Sequence, residues 1–212
     1  MDTITSSQRP VLNLSASPRL ILGSSSPRRL DILNAISFPP DVVIGADIDE
    51  TPRKNEIPHL YVARIAAEKN AALTPQFPDD YIITADTTVA VGRRILGKPD
   101  NVAEAEQMLR LLSGRNHRIY TALVVRAPDG RTAARTNETR VKVKRLSDED
   151  IKNALAADEW HGRAGGFSFT GFFSRFIHHI TGSSSGLLGL PAYETTNLLV
   201  GLGYTGQKHA AD

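Results

Sequence analysis

Cysteine is absent from all 212 residues, which excludes a disulfide framework, a thiolate metal site and a thiol nucleophile. That is compatible with a reducing, cytoplasmic compartment, the localisation expected here. No apolar run reaches membrane-spanning length, so no membrane partner is expected. No basic tract occurs either. The 25 Lys and Arg stand against 23 Asp and Glu, a net charge of +2, too nearly balanced for a nucleic-acid-binding surface. Residues 1–18 are polar and serine-rich, without the basic cluster and continuous apolar stretch of a secretory signal. They read as a disordered extension. A short organellar leader is the alternative, disfavoured because Arg9 is the one basic residue before the first strand and Asp2 is acidic. At 41% hydrophobic content, the chain has enough apolar material for one domain, or one domain of two lobes around a cleft.

The most informative stretch is Leu22-Gly23-Ser24-Ser25-Ser26-Pro27-Arg28-Arg29. It joins the apolar, β-compatible segment Arg19-Leu20-Ile21-Leu22 to a helix on which Leu30, Leu33 and Ile36 recur at helical spacing. Ser26 suits the N-cap and Pro27 the first turn. Unpaired N–H groups and the positive dipole end favour an anion at such a helix start, and two guanidinium groups add forked donors matched to phosphate oxygens. By itself the octamer equally fits an ordinary capped helix with two solvated arginines. Its companions along the chain decide between the two.

Val42-Val43-Ile44 reads as a second strand leading to the acidic turn Asp47-Ile48-Asp49-Glu50, and Pro58 to Leu73 as a helix that Pro75 and Pro78 stop. Tyr81-Ile82-Ile83 is a third strand, with Asp86 placed just beyond its apolar run. Gly92-Arg93 turns a hairpin toward Ile95-Leu96, and Gly97-Lys98-Pro99 forms a loop. Asn101 caps a helix closing at Ser113-Gly114. Residues 118–126 and 131–146 flank Pro128-Asp129-Gly130 as a long antiparallel pair, and Ser147 with Asp150 forms a capping box. Residues 162–171 are a glycine-rich loop, the apolar segment up to Ile180 is helix or strand, and Pro191 begins a last helix through Leu199. No repeat or linker divides residues 19–206, which form one domain ahead of a tail at 207–212. This mixture implies an α/β or α+β sheet whose polar residues gather at strand ends.

Four loops combine opposite charges: Ser24 to Arg29, Asp49-Glu50, Asp86-Thr87 and Lys98. Carboxylates alone repel a nucleotide, whereas carboxylates with a divalent cation, plus Arg and Lys beyond it, bind a triphosphate and stabilise charge that develops during phosphoryl chemistry. Asp86 is the best single candidate, able to hold Mg²⁺ or to take a proton from an attacking water. For any one of these residues taken alone, a turn aspartate or a solvated lysine is the simpler account. Their conjunction is what argues for a site.

The ordered series resembles the Maf family of nucleoside triphosphate pyrophosphatases over roughly residues 19–202. It runs through Ser24-Ser25-Ser26-Pro27-Arg28-Arg29, Asp49-Glu50, Lys69, Ala85-Asp86-Thr87, Gly97-Lys98-Pro99, Ser113-Gly114, His117, Tyr120-Thr121, Ala164-Gly165, Gly171, Gly182 and Gly189-Leu190-Pro191. The resemblance implies an ITPase-like mixed twisted sheet with flanking helices, two lobes around a central cleft, and often a homodimer. It implies hydrolysis of the α–β anhydride of a nucleoside triphosphate to the monophosphate and pyrophosphate with Mg²⁺ or Mn²⁺. The family's acid–base carboxylate falls on Asp86, its phosphate-binding positions on Ser24, Arg28, Lys69 and Lys98, and its metal positions on Glu50 and Asp86. Arg29 and Thr87 match two of the three residues that mark members preferring dTTP and UTP.

The third departs from the pattern. Tyr-x-Ile-Gln-Gly becomes Phe167-Ser168-Phe169-Thr170-Gly171, so Thr170 stands where a glutamine is expected, and one short hydroxyl replaces an amide donor and acceptor. Arg163 replaces a lysine, and Ser183-Ser184-Ser185-Gly186 lacks a tyrosine and an asparagine common in that loop. Altered base discrimination is expected rather than lost chemistry. A non-catalytic nucleotide-binding regulator of cell division is the alternative function.

Other signals carry less. Gly201-Leu202-Gly203-Tyr204-Thr205-Gly206 fits the dinucleotide fingerprint, but it follows a helix instead of a strand and reads as a helix C-cap with a tail. His178 and His179 are adjacent and cannot ligate zinc as an i, i+4 pair does. His117 packs or bonds in a loop. Trp160, Phe167, Phe169, Phe172 and Phe173 are expected in the core, with stacking on a base as the alternative.

Overall fold

The computed structural model describes residues 17–206. The expected tail at 207–212, and all but Ser17 and Pro18 of the expected N-terminal extension, lie outside the described residues. Strand β1 (Leu20–Gly23) is wholly buried and runs parallel to β2 (Val42–Val43) on one side and β3 (Tyr81–Val91) on the other. A parallel strand covered on both faces needs a continuous apolar run, which Leu20-Ile21-Leu22 supplies. β4 (Arg94–Leu96), β5 (Asn116–Arg126), β6 (Thr132–Val143) and β7 (Ile177–Thr181) extend the sheet in antiparallel fashion. Among the described residues the order is β2-β1-β3-β5-β6-β7, with β4 also on β3, so the architecture is the mixed α/β sheet expected.

Alternation along the strands assigns the two faces. Ile21, Ile82, Ala122 and Val124 turn toward α2 (Pro58–Leu73), whose Tyr61, Val62, Ile65, Ala66 and Leu73 are buried. Leu20, Leu22, Ile83, Ala85, Leu123 and Val125 turn the other way, onto Leu33 of α1 (Pro27–Ala35) and Leu198 and Leu199 of α6 (Ala192–Gly201). A second core lies beyond the middle of β3 and β5. There Val89, Ile119 and Val141 pack with Leu109 and Leu112 of α3 (Val102–Leu112), Ile151 of α4 (Asp148–Ala156), and Phe167, Phe173 and Phe176. β3 and β5 therefore pass through both cores and form the floor between two lobes.

The caps follow the sequence. Asn101 accepts from the Glu104 N–H at 3.0 Å, and Ser147 and Asp150 close a reciprocal capping box. One expectation is corrected here. β3 does not end at Ile83: its ladder to β5 continues unbroken from Ile82 to Ala90, so Asp86 sits within a strand and not beyond one. The polar run Asp86-Thr87-Thr88 hid this, because threonine's β-branched shape suits a strand whatever its polarity. The segment before Ile180 is both a 3₁₀ turn at 172–176 and β7, and the 183–186 loop contains the one-turn helix α5 (Ser184–Leu187).

Candidate active site

Two gaps in strand pairing create the site. On one edge of β3, β1 pairs as far as Gly23 opposite Thr84, and β4 begins only at Leu96 opposite Val89. Ala85 to Thr88 thus have no strand on that edge, and a cleft of about 1490 Å³ opens against it. Consecutive residues of a strand point to opposite faces, so Asp86 leaves toward α2 and Thr87 toward α1, yet both border the opening. A loop at the same position could not hold two side chains to opposite walls so rigidly.

On the α2 wall, Lys69 is the hub. Its Nζ lies 2.9 Å from Asp86 Oδ1 and 2.8 Å from Glu50 Oε1. Lys69 and Asp86 are buried, whereas the Glu50 side chain is 44% exposed, so the carboxylates differ in access to solvent. Burial pushes the Asp86 carboxyl above its ordinary value, Lys69 and Arg29 pull it back down, and Glu50 pushes it further up. Glu50 is held by its backbone: the Tyr61 hydroxyl donates to the Glu50 carbonyl at 2.9 Å. Burial, then the negative charges of Asp86 and Glu50, raise that phenol to about 12, so it stays a donor. Arg64 adds a second anchor, donating to both Glu56 oxygens at 2.7 Å and to Glu68 at 2.9 Å.

On the α1 wall, the serine–proline–arginine loop runs from the end of β1 into the helix. Ser26 occupies the N-cap position with extended backbone, but its side chain makes no capping bond, so the first-turn N–H groups gain nothing from it. Ser24 Oγ instead accepts from the Ser26 N–H at 3.2 Å and from Arg29 Nη1 at 2.9 Å. The two arginines part company. Arg28 reaches across the cleft to Ser168 Oγ at 3.3 Å. Arg29 turns back, donating through Nε to the Gly189 carbonyl at 2.8 Å and through Nη2 to Thr87 Oγ1 at 3.4 Å. Burial lowers the Arg29 pKa, opposed by Asp86 and Glu50, and a guanidinium still keeps its charge there.

The structure thus brings Ser24, Arg28, Arg29, Glu50, Lys69, Asp86, Thr87 and the exposed Lys98 to one cleft. Thr170 is not brought there. It is exposed, 3.5 Å from Ser168, while Phe167 and Phe169 border the opening. Ser168, Tyr61 and Thr121 were not singled out from sequence for roles in the cleft; they are polar residues whose partners lie 140, 11 and 65 positions away, and no local pattern marks such contacts. The phenylalanines sit mostly in the second core: Phe167 packs on Phe173 and Phe169 with centroids at 4.4 and 4.6 Å. His117 lies on β5 instead of in a loop, 1% exposed and edge-on to Phe167, with both ring nitrogens lacking a partner.

Glu50 and Asp86 can be tested against a divalent cation by their donors. They are hard carboxylate oxygens joined through the Lys69 ammonium, and among the described residues no group of three or more His, Cys, Asp and Glu gathers to hold a metal. That set fits a cation bound by one or two carboxylates and completed by substrate phosphates and water, as Mg²⁺ prefers.

Fold and site together define an α/β protein with a cleft at the carboxyl end of a parallel strand, lined by a cationic helix-start loop and a lysine-bridged carboxylate pair. The chain belongs to the Maf-like protein family, whose model matches residues 19–202. It is 48% identical over 191 residues to a dTTP/UTP pyrophosphatase of Caulobacter vibrioides, covering 90% of this chain and 99% of that protein. To the dTTP/UTP pyrophosphatase of Rhodopseudomonas palustris strain HaA2 it is 50% identical over 193 residues, covering 88% and 93%. Among solved structures it is similar to the Ham1 protein of Staphylococcus aureus, at a TM-score of 0.44 and 16% identity over 85% of this chain and 88% of that one.

Proposed function

We propose that this protein hydrolyses the α–β phosphoanhydride of dTTP and UTP, releasing the nucleoside monophosphate and pyrophosphate. The observation that carries the reading is the Lys69-bridged pair of Glu50 and Asp86 facing the serine–arginine loop across one cleft. Ser24, Arg28 and Lys98, with the backbone N–H of Arg28 in the first turn of α1, hold phosphate oxygens. Asp86 acts as general base: Lys69 occupies Oδ1, and Oδ2 takes a proton from the water that attacks the α-phosphorus as the bond to the bridging oxygen breaks. Lys69 then balances the negative charge gathering on the phosphates. Glu50 and Asp86 would hold a divalent cation, Mg²⁺ or Mn²⁺, which when bound neutralises phosphate charge.

Arg29 and Thr87 face the base. The names of the relatives support pyrimidine triphosphates, and Thr170, exposed and 3.5 Å from Ser168, is given no base contact in this reading. The reading includes a homodimer in the cytoplasm, supported for the dimer by Tyr193 and Val200, which are 76% and 57% exposed and seven residues apart on one face of α6.

Incubation with each canonical triphosphate plus Mg²⁺ or Mn²⁺ tests the reaction. Pyrophosphate released in step with UMP or dTMP is the expected result, and orthophosphate with a nucleoside diphosphate would exclude it.

A further inference from the structure

Thr121 is buried, 1% exposed, and absent from the lining of the cleft, yet it sets what the cleft presents. It is the cross-strand neighbour of Thr87, and their hydroxyl oxygens are 2.9 Å apart. Thr121 Oγ1 is also 2.8 Å from the Gly186 carbonyl oxygen. A carbonyl can only accept, so the single Thr121 proton goes to Gly186. Thr87 must then spend its own proton on Thr121. The Thr87 oxygen is left with lone pairs only, one of them facing Arg29 Nη2.

The chain of contacts closes on itself. The Gly186 carbonyl also accepts from the Gly189 N–H at 3.0 Å, and the Gly189 carbonyl accepts from Arg29 Nε at 2.8 Å. Gly189 has φ +115°, and a Cβ there would lie 3.3 Å from Arg29 Nε, so glycine lets the turn approach the arginine. Arg29, Thr87, Thr121 and the 186–189 turn therefore form one closed set of contacts, in which two arms of donation run from Arg29 to the Gly186 carbonyl.

Resting on the pyrimidine reading of the same site, we propose that Thr121 is a positioning residue for base selection: by consuming the Thr87 proton it fixes Thr87 as an acceptor beside the donors of Arg29. An acceptor with a donor beside it complements the N3–H of uracil and thymine and one of the carbonyls next to it. Cytosine offers a lone pair at N3, and an acceptor-only Thr87 opposite it leaves two lone pairs in opposition. Discrimination between uracil and cytosine then comes from a hydroxyl that never touches the base.

The test uses the full chain and the substitutions Thr121→Val, close to isosteric without a hydroxyl, and Thr121→Ser, which keeps it. Calorimetric binding of the α,β-methylene analogues of UTP and CTP reads selectivity without turnover, and pyrophosphate release from UTP and CTP reads KM against kcat. Wild type and Thr121→Ser are expected to bind the UTP analogue more tightly than the CTP analogue. In Thr121→Val that ratio falls about tenfold, because Thr87 regains a proton to turn toward the base, and the UTP loss falls on KM with kcat held within about threefold. Equal losses on both analogues, an unchanged ratio, or a wild type without preference would overturn the role of Thr121. Selective binding of the UTP analogue without any pyrophosphate release would instead overturn the proposed reaction and leave the binding ratio to decide on Thr121. Unfolding midpoints of both variants separate a selectivity change from a folding defect.

Discussion

At the scale of single residues, burial and proximity set the chemistry. Asp86 is 6% exposed, with its carboxyl raised by burial and held down by Lys69. Asp86→Asn keeps shape and loses the base, so pyrophosphate release should fall by about 10²–10⁴-fold while nucleotide still binds. Wild-type rates in that variant would remove Asp86 from the mechanism. Turnover is lost as pH falls and Asp86 takes a proton, and in the metal-free protein burial raises that carboxyl above its ordinary value. Lys69→Met removes the cation that favours the charged carboxylate, so the acid limb of kcat should move to higher pH, and a limb that stays put would separate Lys69 from Asp86.

His117 supplies a stability counterpart. Burial alone lowers its pKa from 6.5 to about 4. The folded protein thus binds this proton less readily than the unfolded chain. The stability linked to neutral His117 is complete above pH 6.5 and drains away as pH falls from 6.5 toward 4. The difference amounts to about 3 kcal/mol across that window. His117→Leu should flatten the urea midpoint between pH 7 and 4 relative to wild type, and parallel curves for the two proteins would show that His117 is not protonated in the unfolded chain alone.

At the scale of elements, much was legible and the exceptions have reasons. The start of α1 was marked by Pro27, and the capping box of α4 by Ser147 and Asp150, because these signals act within three residues. The sequence marks β3 only as far as Ile83, since its polar middle, Asp86-Thr87-Thr88, is held in the strand by pairing with β5 and not by hydrophobicity. Ser26 looked like a side-chain cap, but in the fold its backbone N–H is bound by Ser24, whose own position depends on Arg29. Gly23 shows how closely β1 meets its neighbours, for a Cβ there would lie 2.5 Å from the side chains of both Leu73 and Thr84. Gly23→Ala should cost about 1–3 kcal/mol through this overpacking, seen as a lower unfolding temperature, and it should disturb the loop that begins at Ser24. An unchanged midpoint would mean that β1 can shift away from α2 at little cost.

At the scale of the whole molecule, the two cores share β3 and β5, and the cleft lies where β1 has ended and β4 has not begun. A ligand touching Arg28 on one side and the 167–169 segment on the other bridges both lobes. Saturating UTP with Mg²⁺ should therefore stabilise the Asp86→Asn protein, which preserves its substrate, by about 2.7 kcal/mol at a hundredfold excess over Kd. A rise of several degrees in the thermal midpoint is the expected reading; its absence would count against nucleotide binding in the cleft.

The sequence by itself determined the local and the ordered. Helix starts, turns, the apolar run of β1 and the series of polar and charged residues from Ser24 to Lys98 are written within short windows or in chain order, and they carried the family resemblance with its candidate Asp86. Tertiary structure alone decided which of those charges meet. Lys69 lies 17 residues from Asp86 and 19 from Glu50, yet bridges both, and Thr87 reaches Thr121 34 residues away. Register in a sheet and the packing of a helix across it place such partners, and neither leaves a mark in the spacing of the residues they unite.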